Sequence, residues 1–184
     1  MARLSPISRA DRNFQGINRE QSPWRALTVP YLSIMLASFI PAIFLAGVMP
    51  IFPPLGFVML VAWRIMRPGL LPMWVGVPLG AFDDLFSGQP FGSAILLWSI
   101  TMIALDLIEN QFPWRGFWQD WIAASLAIIC YILAAIVVSG AKITPYIMLA
   151  AVPQIIFSVL FYPVLARMVA RLDRFRLARA RRVG

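Results

Sequence analysis

Between Ala26 and Trp63 the chain holds no charged residue. At about 1.5 Å per residue in a helix, such a run is long enough for two crossings of a hydrocarbon layer about 30 Å thick. Pro50, Pro53 and Pro54 divide it, so the pattern predicts a first helix over about Leu27 to Val48 and a short second one over about Ile51 to Met66. The paired prolines leave little helix for the second segment and are also compatible with a re-entrant start. Arg64 and Arg67 with Pro68-Gly69 read as a tight basic turn. A third helix is expected over about Leu70 to Leu85. After Ser87-Gly88-Gln89-Pro90, with Pro90 suited to a first helical turn, a fourth follows over about Phe91 to Ile108. Asp106 and Glu109, three residues apart, share a face at its far end and are expected to be solvated.

Trp114, Trp118 and Trp121 form an interfacial aromatic ladder leading into a fifth helix, about Trp121 to Ser139. This helix carries Ala123, Ala124, Ala127, Cys130 and Ala134, small residues that permit close packing. A sixth helix, about Pro145 to Ala166, is interrupted by Pro153, approached near its end by Pro163, and runs into an arginine-rich tail.

One stretch departs from this apolar monotony. From Gly76 to Gly92, every fourth residue is in turn Gly76, Gly80, Asp84, Gly88 and Gly92. On a helix, Gly76, Gly80 and Asp84 share a face, and a face of small residues lets another backbone approach closely. Asp84 then points into protein; the same residues also fit a plain packing seam whose acidic end sits among wet headgroups. An acid at a helix carboxyl terminus meets the negative end of the dipole, an unfavourable contact of about 0.3 to 1 kcal/mol. Compensation is expected from the N–H groups of the turn around Gly88, or from the start of the helix near Pro90, which Asp84 would cap.

Composition settles the expected solvent. With 60% hydrophobic and 13% charged residues among 184, the chain would expose large apolar patches as a soluble globule. An all-α, polytopic integral membrane protein of about six transmembrane helices is therefore predicted. Its parts are a disordered basic arm (1–25), a six-helix domain (26–166) and a basic tail (167–184). The apolar run after the arm is too long for a signal-peptide core, and no amino-terminal cleavage is expected.

The net charge of +8 does not indicate nucleic acid, because the basic residues cluster at the ends of apolar runs. With six spans and the amino terminus inside, every one of the 16 Lys and Arg except Lys142 faces the cytoplasm, which predicts both termini in that compartment. Arg167, Arg171 and Arg174 fall on a basic amphipathic helix leaving the membrane, placed to lie along anionic lipid or to touch a partner.

Candidate chemistry is sparse. Histidine is absent and Cys130 is the sole cysteine, which argues against triad, zinc and haem sites. Asp83 and Asp84 are the right groups to hold Mg²⁺ for a phosphate, but adjacent side chains diverge by about 100° on a helix and no further carboxylate lies nearby in sequence. No catalytic residue, cofactor or metal ligand is expected.

The pattern Gly80-x-x-x-Asp84-x-x-x-Gly88-x-x-x-Gly92, with Leu85 after the acid and an apolar helix on each side, is similar to the signature of the bacterial rod shape-determining MreD family. Chain length, the number of spans, Arg67-Pro68 before the signature and a sixth span ending near Pro163 are similar too. Asp83 stands where the family usually has an apolar residue, and the amino-terminal arm is longer than usual. The resemblance implies a non-catalytic scaffold in the bacterial inner membrane. Such a scaffold would bind a single-span MreC-like protein and help link MreB filaments to RodA and a penicillin-binding transpeptidase. Gly76, Gly80, Asp83, Asp84, Gly88, Pro90 and Gly92 would form its structural and interaction signature; no small-molecule substrate is expected. The alternative is a six-helix substrate-capture subunit of a vitamin-type transporter, with a cavity opening outward near Asp84. Against it, the spans offer few convergent polar groups.

Overall fold

The computed structural model describes residues 23–45, 52–111, 116–140 and 144–177. Among them are six α-helices and no strand: α1 (Pro23–Leu45), α2 (Leu55–Met66), α3 (Gly76–Asp84), α4 (Ser93–Gln111), α5 (Phe117–Val138) and α6 (Pro145–Leu177). A 3-10 turn, Met73–Val75, leads into α3. The expected arm up to residue 22, the end of the first predicted helix, Trp114 and the tail beyond Leu177 lie outside the described residues.

Helix α2 is apolar on every side, and a helix of that kind belongs in an interior. Every residue from Leu55 to Ile65 is buried. Helices α1, α6, α5 and α4 surround it, and α3 closes the ring between α4 and α1. Phe57 stacks on Tyr131 with ring centroids 3.9 Å apart and meets Trp98 edge-on at 6.1 Å. Trp63 Nε1 donates to Ser33 Oγ at 2.8 Å, and that hydroxyl passes its own proton to the Pro30 carbonyl. Burial of each such large side chain contributes about 1.5–3 kcal/mol, which ties the four surrounding helices to one axis.

Several predicted boundaries move. Pro54 stands at the N-cap of α2, so the second helix starts at Leu55 and has 12 residues. The third reaches back only to Gly76, because Pro72 is extended and Gly69 is left-handed at φ +78°. The fourth begins at Ser93: Pro90 precedes it, and its carbonyl accepts the Ser93 N–H at 3.0 Å. The sixth is not interrupted at all, since α6 runs unbroken through Pro153 and Pro163. A proline lacks the N–H that residue i−4 needs, which strands the Val159 carbonyl below Pro163. Trp121 Nε1 supplies the missing donor from α5, at 3.2 Å.

The turn forms over Arg67–Leu70, where the Leu70 N–H donates to the Arg67 carbonyl at 3.2 Å, but Arg64 belongs to α2 and the acids expected to be solvated are drawn to it. Arg64 is 3% exposed, inside the end of α2. A charge so buried needs partners, and it draws in the two acids of α4. Arg64 Nη2 donates to Asp106 Oδ1 at 2.6 Å, while Nη1 lies 2.8 Å from Glu109 Oε2 without the alignment of a hydrogen bond. Arg67 Nε donates to Asp173 Oδ2 of α6 at 2.8 Å, and Arg176 holds the other oxygen of Asp173 at 2.8 Å. One end of the bundle is thus laced across α2, α4 and α6. Helices α5 and α6 are each long and apolar enough to cross a membrane.

Candidate functional site

The glycine and aspartate pattern folds into a single joint between α3 and α4. Gly76 and Gly80 lie on the α3 face that meets α4. A Cβ on Gly80 would stand 2.7 Å from the Ala94 carbonyl oxygen and 2.8 Å from Ile95 Cα; one on Gly76 would stand 2.9 Å from Ser99 Cα. These are backbone atoms, which cannot step aside as a flexible side chain could. The two helices approach as closely as they do because no side chain intervenes.

One turn further along the same face, Asp84 is 6% exposed and reaches the amino terminus of α4. The first N–H groups of a helix have no partner within it, and the dipole there favours a negative charge. Asp84 Oδ1 accepts from Ala94 N at 2.8 Å and Ser93 Oγ at 3.1 Å; Oδ2 accepts from Gly92 N at 2.9 Å and Ile95 N at 3.3 Å. The carboxylate therefore caps α4 instead of the turn at Gly88. All four of its ordinary acceptor directions are occupied.

Gly88 and Gly92 serve the joint differently. They lie off the helix at φ +68° and +98°, with open space around each Cα, so what the chain requires of them is a left-handed backbone. Pro90 sits between them in the connecting turn.

Asp83 turns the other way. It is half-buried and flanks Gly56 of α2, where its Oδ1 stands 3.1 Å from the place of a Cβ; the Ser38 hydroxyl of α1 packs directly on the same glycine. The adjacent carboxylates thus serve different contacts, Asp84 the α3–α4 joint and Asp83 the meeting of α1, α2 and α3. Among the described residues, no three potential metal-ligating side chains gather in one place.

Sequence reasoning missed Ser38, Gly56 and Ser93. A usable signal was present for Ser93: a serine just after Gly92 is a common way to begin a helix. No periodicity points to the meeting of Ser38 with Gly56, which needs the packing of α1 on α2. Arg167, Arg171 and Arg174 lie far from the joint, exposed on the last turns of α6.

At the joint's end of the molecule a cavity of about 140 Å³ opens between α2, α5 and α6, lined by Gln89, Tyr131, Ser139 and Gln154 among others. Its amides are partly committed. Gln154 Nε2 donates to the Phe52 carbonyl at 3.0 Å, and Gln89 Oε1 shares the Ser93 hydroxyl proton with Asp84. No family model, no curated protein and no solved structure matches this chain.

Proposed function

We propose that the chain is an inner-membrane protein with six spans and cytoplasmic termini, acting as a non-catalytic scaffold of the cell-elongation machinery, like the MreD family it resembles. Support for the membrane comes from the outward surfaces: Leu126 and Val137 of α5 and Leu149, Phe157 and Leu160 of α6 are all exposed, and the ion pairs gather at one end. Two crossings are short. Helix α2 is sheltered by its neighbours, and the turn over Arg67–Leu70 with the 3-10 turn Met73–Val75 precedes α3 on the same path.

The observation that carries the scaffold reading is the α3–α4 joint. Each residue matching the MreD pattern is taken up by the joint itself: Gly80 by contact, Gly88 and Gly92 by backbone angle, Asp84 by its donors. The carboxylate has nothing left to offer a substrate. On this reading the partners are an MreC-like single-span protein and, through it, MreB filaments, RodA and a penicillin-binding transpeptidase. Photocrosslinking from each helix in living cells tests it. Adducts with a single-span periplasmic coiled-coil protein, together with rounded cells on depletion, are expected. Normal rods on depletion and no adduct with any morphogenesis protein would refute it.

The cavity favours a second reading, substrate capture for a transporter, because its polar groups converge more than the sequence suggested. A metabolite released on denaturing the purified protein would decide for it.

A further inference from the structure

One stripe of α6 faces directly away from the rest of the molecule. Leu149, Ile156 and Leu160 on it are 70%, 50% and 60% exposed. The chemistry of the stripe then changes at one point. Arg167, Arg171 and Arg174, all exposed, continue the same line at spacings of four and three residues. From the exposed ring of Tyr146 to Arg167 the helix rises about 32 Å, close to the thickness of a hydrocarbon layer.

The opposite face is anchored, so the row cannot roll inward. Val169 is fully buried beneath it, Asp173 is held by Arg67 and Arg176, and the Arg176 guanidinium lies 5.9 Å from the centre of the Trp63 ring. The arginines divide accordingly. Arg64, Arg67 and Arg176 have carboxylate partners, whereas among the described residues none stands within ion-pair distance of Arg167, Arg171 or Arg174. Exposed Val164 precedes the row on the side of the acyl chains, and exposed Met168 lies beside its first arginine.

We propose that Arg167, Arg171 and Arg174 form a binding site for the phosphates of anionic phospholipid in the cytoplasmic leaflet. A guanidinium fork takes two oxygens of a phosphodiester at once; the row begins with Arg167 at the level where such groups lie and rises about 10 Å to Arg174, whose Nε donates to the Ala170 carbonyl at 3.3 Å and whose Nη groups remain for an anion. The site rests on the membrane orientation proposed above.

The test is native mass spectrometry of the full chain released from nanodiscs of equimolar phosphatidylglycerol and phosphatidylcholine. The unaltered protein should retain phosphatidylglycerol preferentially. Changing all three residues to Gln should lower that preference about a hundredfold, and Arg171→Gln alone about fivefold. Removing Arg179, Arg181 and Arg182 instead should leave most of it. Retention of the preference by the triple variant, an equal loss in the tail variant, or a crosslinker at position 171 that captures only protein would each overturn the proposal. Should the triple variant fail to fold, the three single variants carry the same test. A chain recovered in the soluble fraction would sink the membrane orientation itself, whereas a membrane-bound chain without lipid preference would sink only the lipid site.

Discussion

Replacing Asp84 by Leu removes the acceptor for three backbone N–H groups, those of Gly92, Ala94 and Ile95; the Ser93 hydroxyl can turn to Gln89 Oε1. The Ala94 N–H is buried, and an orphaned buried donor costs about 1–3 kcal/mol. The other two are partly buried and regain some water, at about 0.5–1 kcal/mol each, and the charge–dipole attraction is lost as well. The total is about 3–5 kcal/mol, a large part of the 5–15 kcal/mol that typically separates folded from unfolded chains. Asparagine keeps one oxygen, enough for Ala94 and Ser93, and turns an amino group towards Gly92 and Ile95. Asp84→Asn should therefore cost only about 1–2 kcal/mol and keep the fold. Equilibrium unfolding by SDS in mixed micelles, followed by tryptophan fluorescence, measures both. If Asp84→Leu lies within about 0.5 kcal/mol of the unaltered protein, or if Asn and Leu cost the same, the capping account is wrong.

Other outcomes follow from contacts described above. Gly80→Ala should force α3 and α4 apart and cost about 1–3 kcal/mol in the same assay, since its Cβ would meet the backbone of Ala94 and Ile95. Gly92→Ala meets no atom, yet its φ of +98° should make it cost at least about 1–2 kcal/mol. Neutralising Asp106 and Glu109 together as Asn and Gln leaves Arg64 buried without a counter-charge, with an expected loss of about 3–5 kcal/mol. Trp121→Phe should cost about 1–2 kcal/mol by orphaning the Val159 carbonyl. In a Pro163→Ala background, where the helix can supply its own donor, that loss should shrink; a double-mutant cycle showing no coupling would contradict the assignment.

Much of the helical layout was legible because it is local. Charges and prolines bracket the apolar runs, and six helices form within them. The shared face of Gly76, Gly80 and Asp84 follows from helical periodicity, as does the divergence of Asp83 from Asp84. What stayed hidden depends on residues distant in the chain. Arg64 finds Asp106 across 42 positions and Arg67 finds Asp173 across 106, so Asp106 looked solvated when taken singly and nothing drew notice to Asp173. The helix runs on through Pro163 because the carbonyl that proline strands finds its donor in Trp121, 38 positions earlier in the chain. The rhythm of four also concealed two unlike requirements. Gly76 and Gly80 answer to a neighbour's backbone, Gly88 and Gly92 to their own.

The enclosure of α2 bears on how such a chain is made. At 12 residues, about 18 Å, it is too short to span a bilayer unaided, and its companions α4, α5 and α6 are synthesised after it. On the membrane reading proposed above, it would wait during translation, sheltered by the insertion machinery or lying shallow near the surface, until the later helices arrive to surround it. A ribosome stalled after α4 should then leave α2 open to thiol labelling from water, and release of the complete chain should close it.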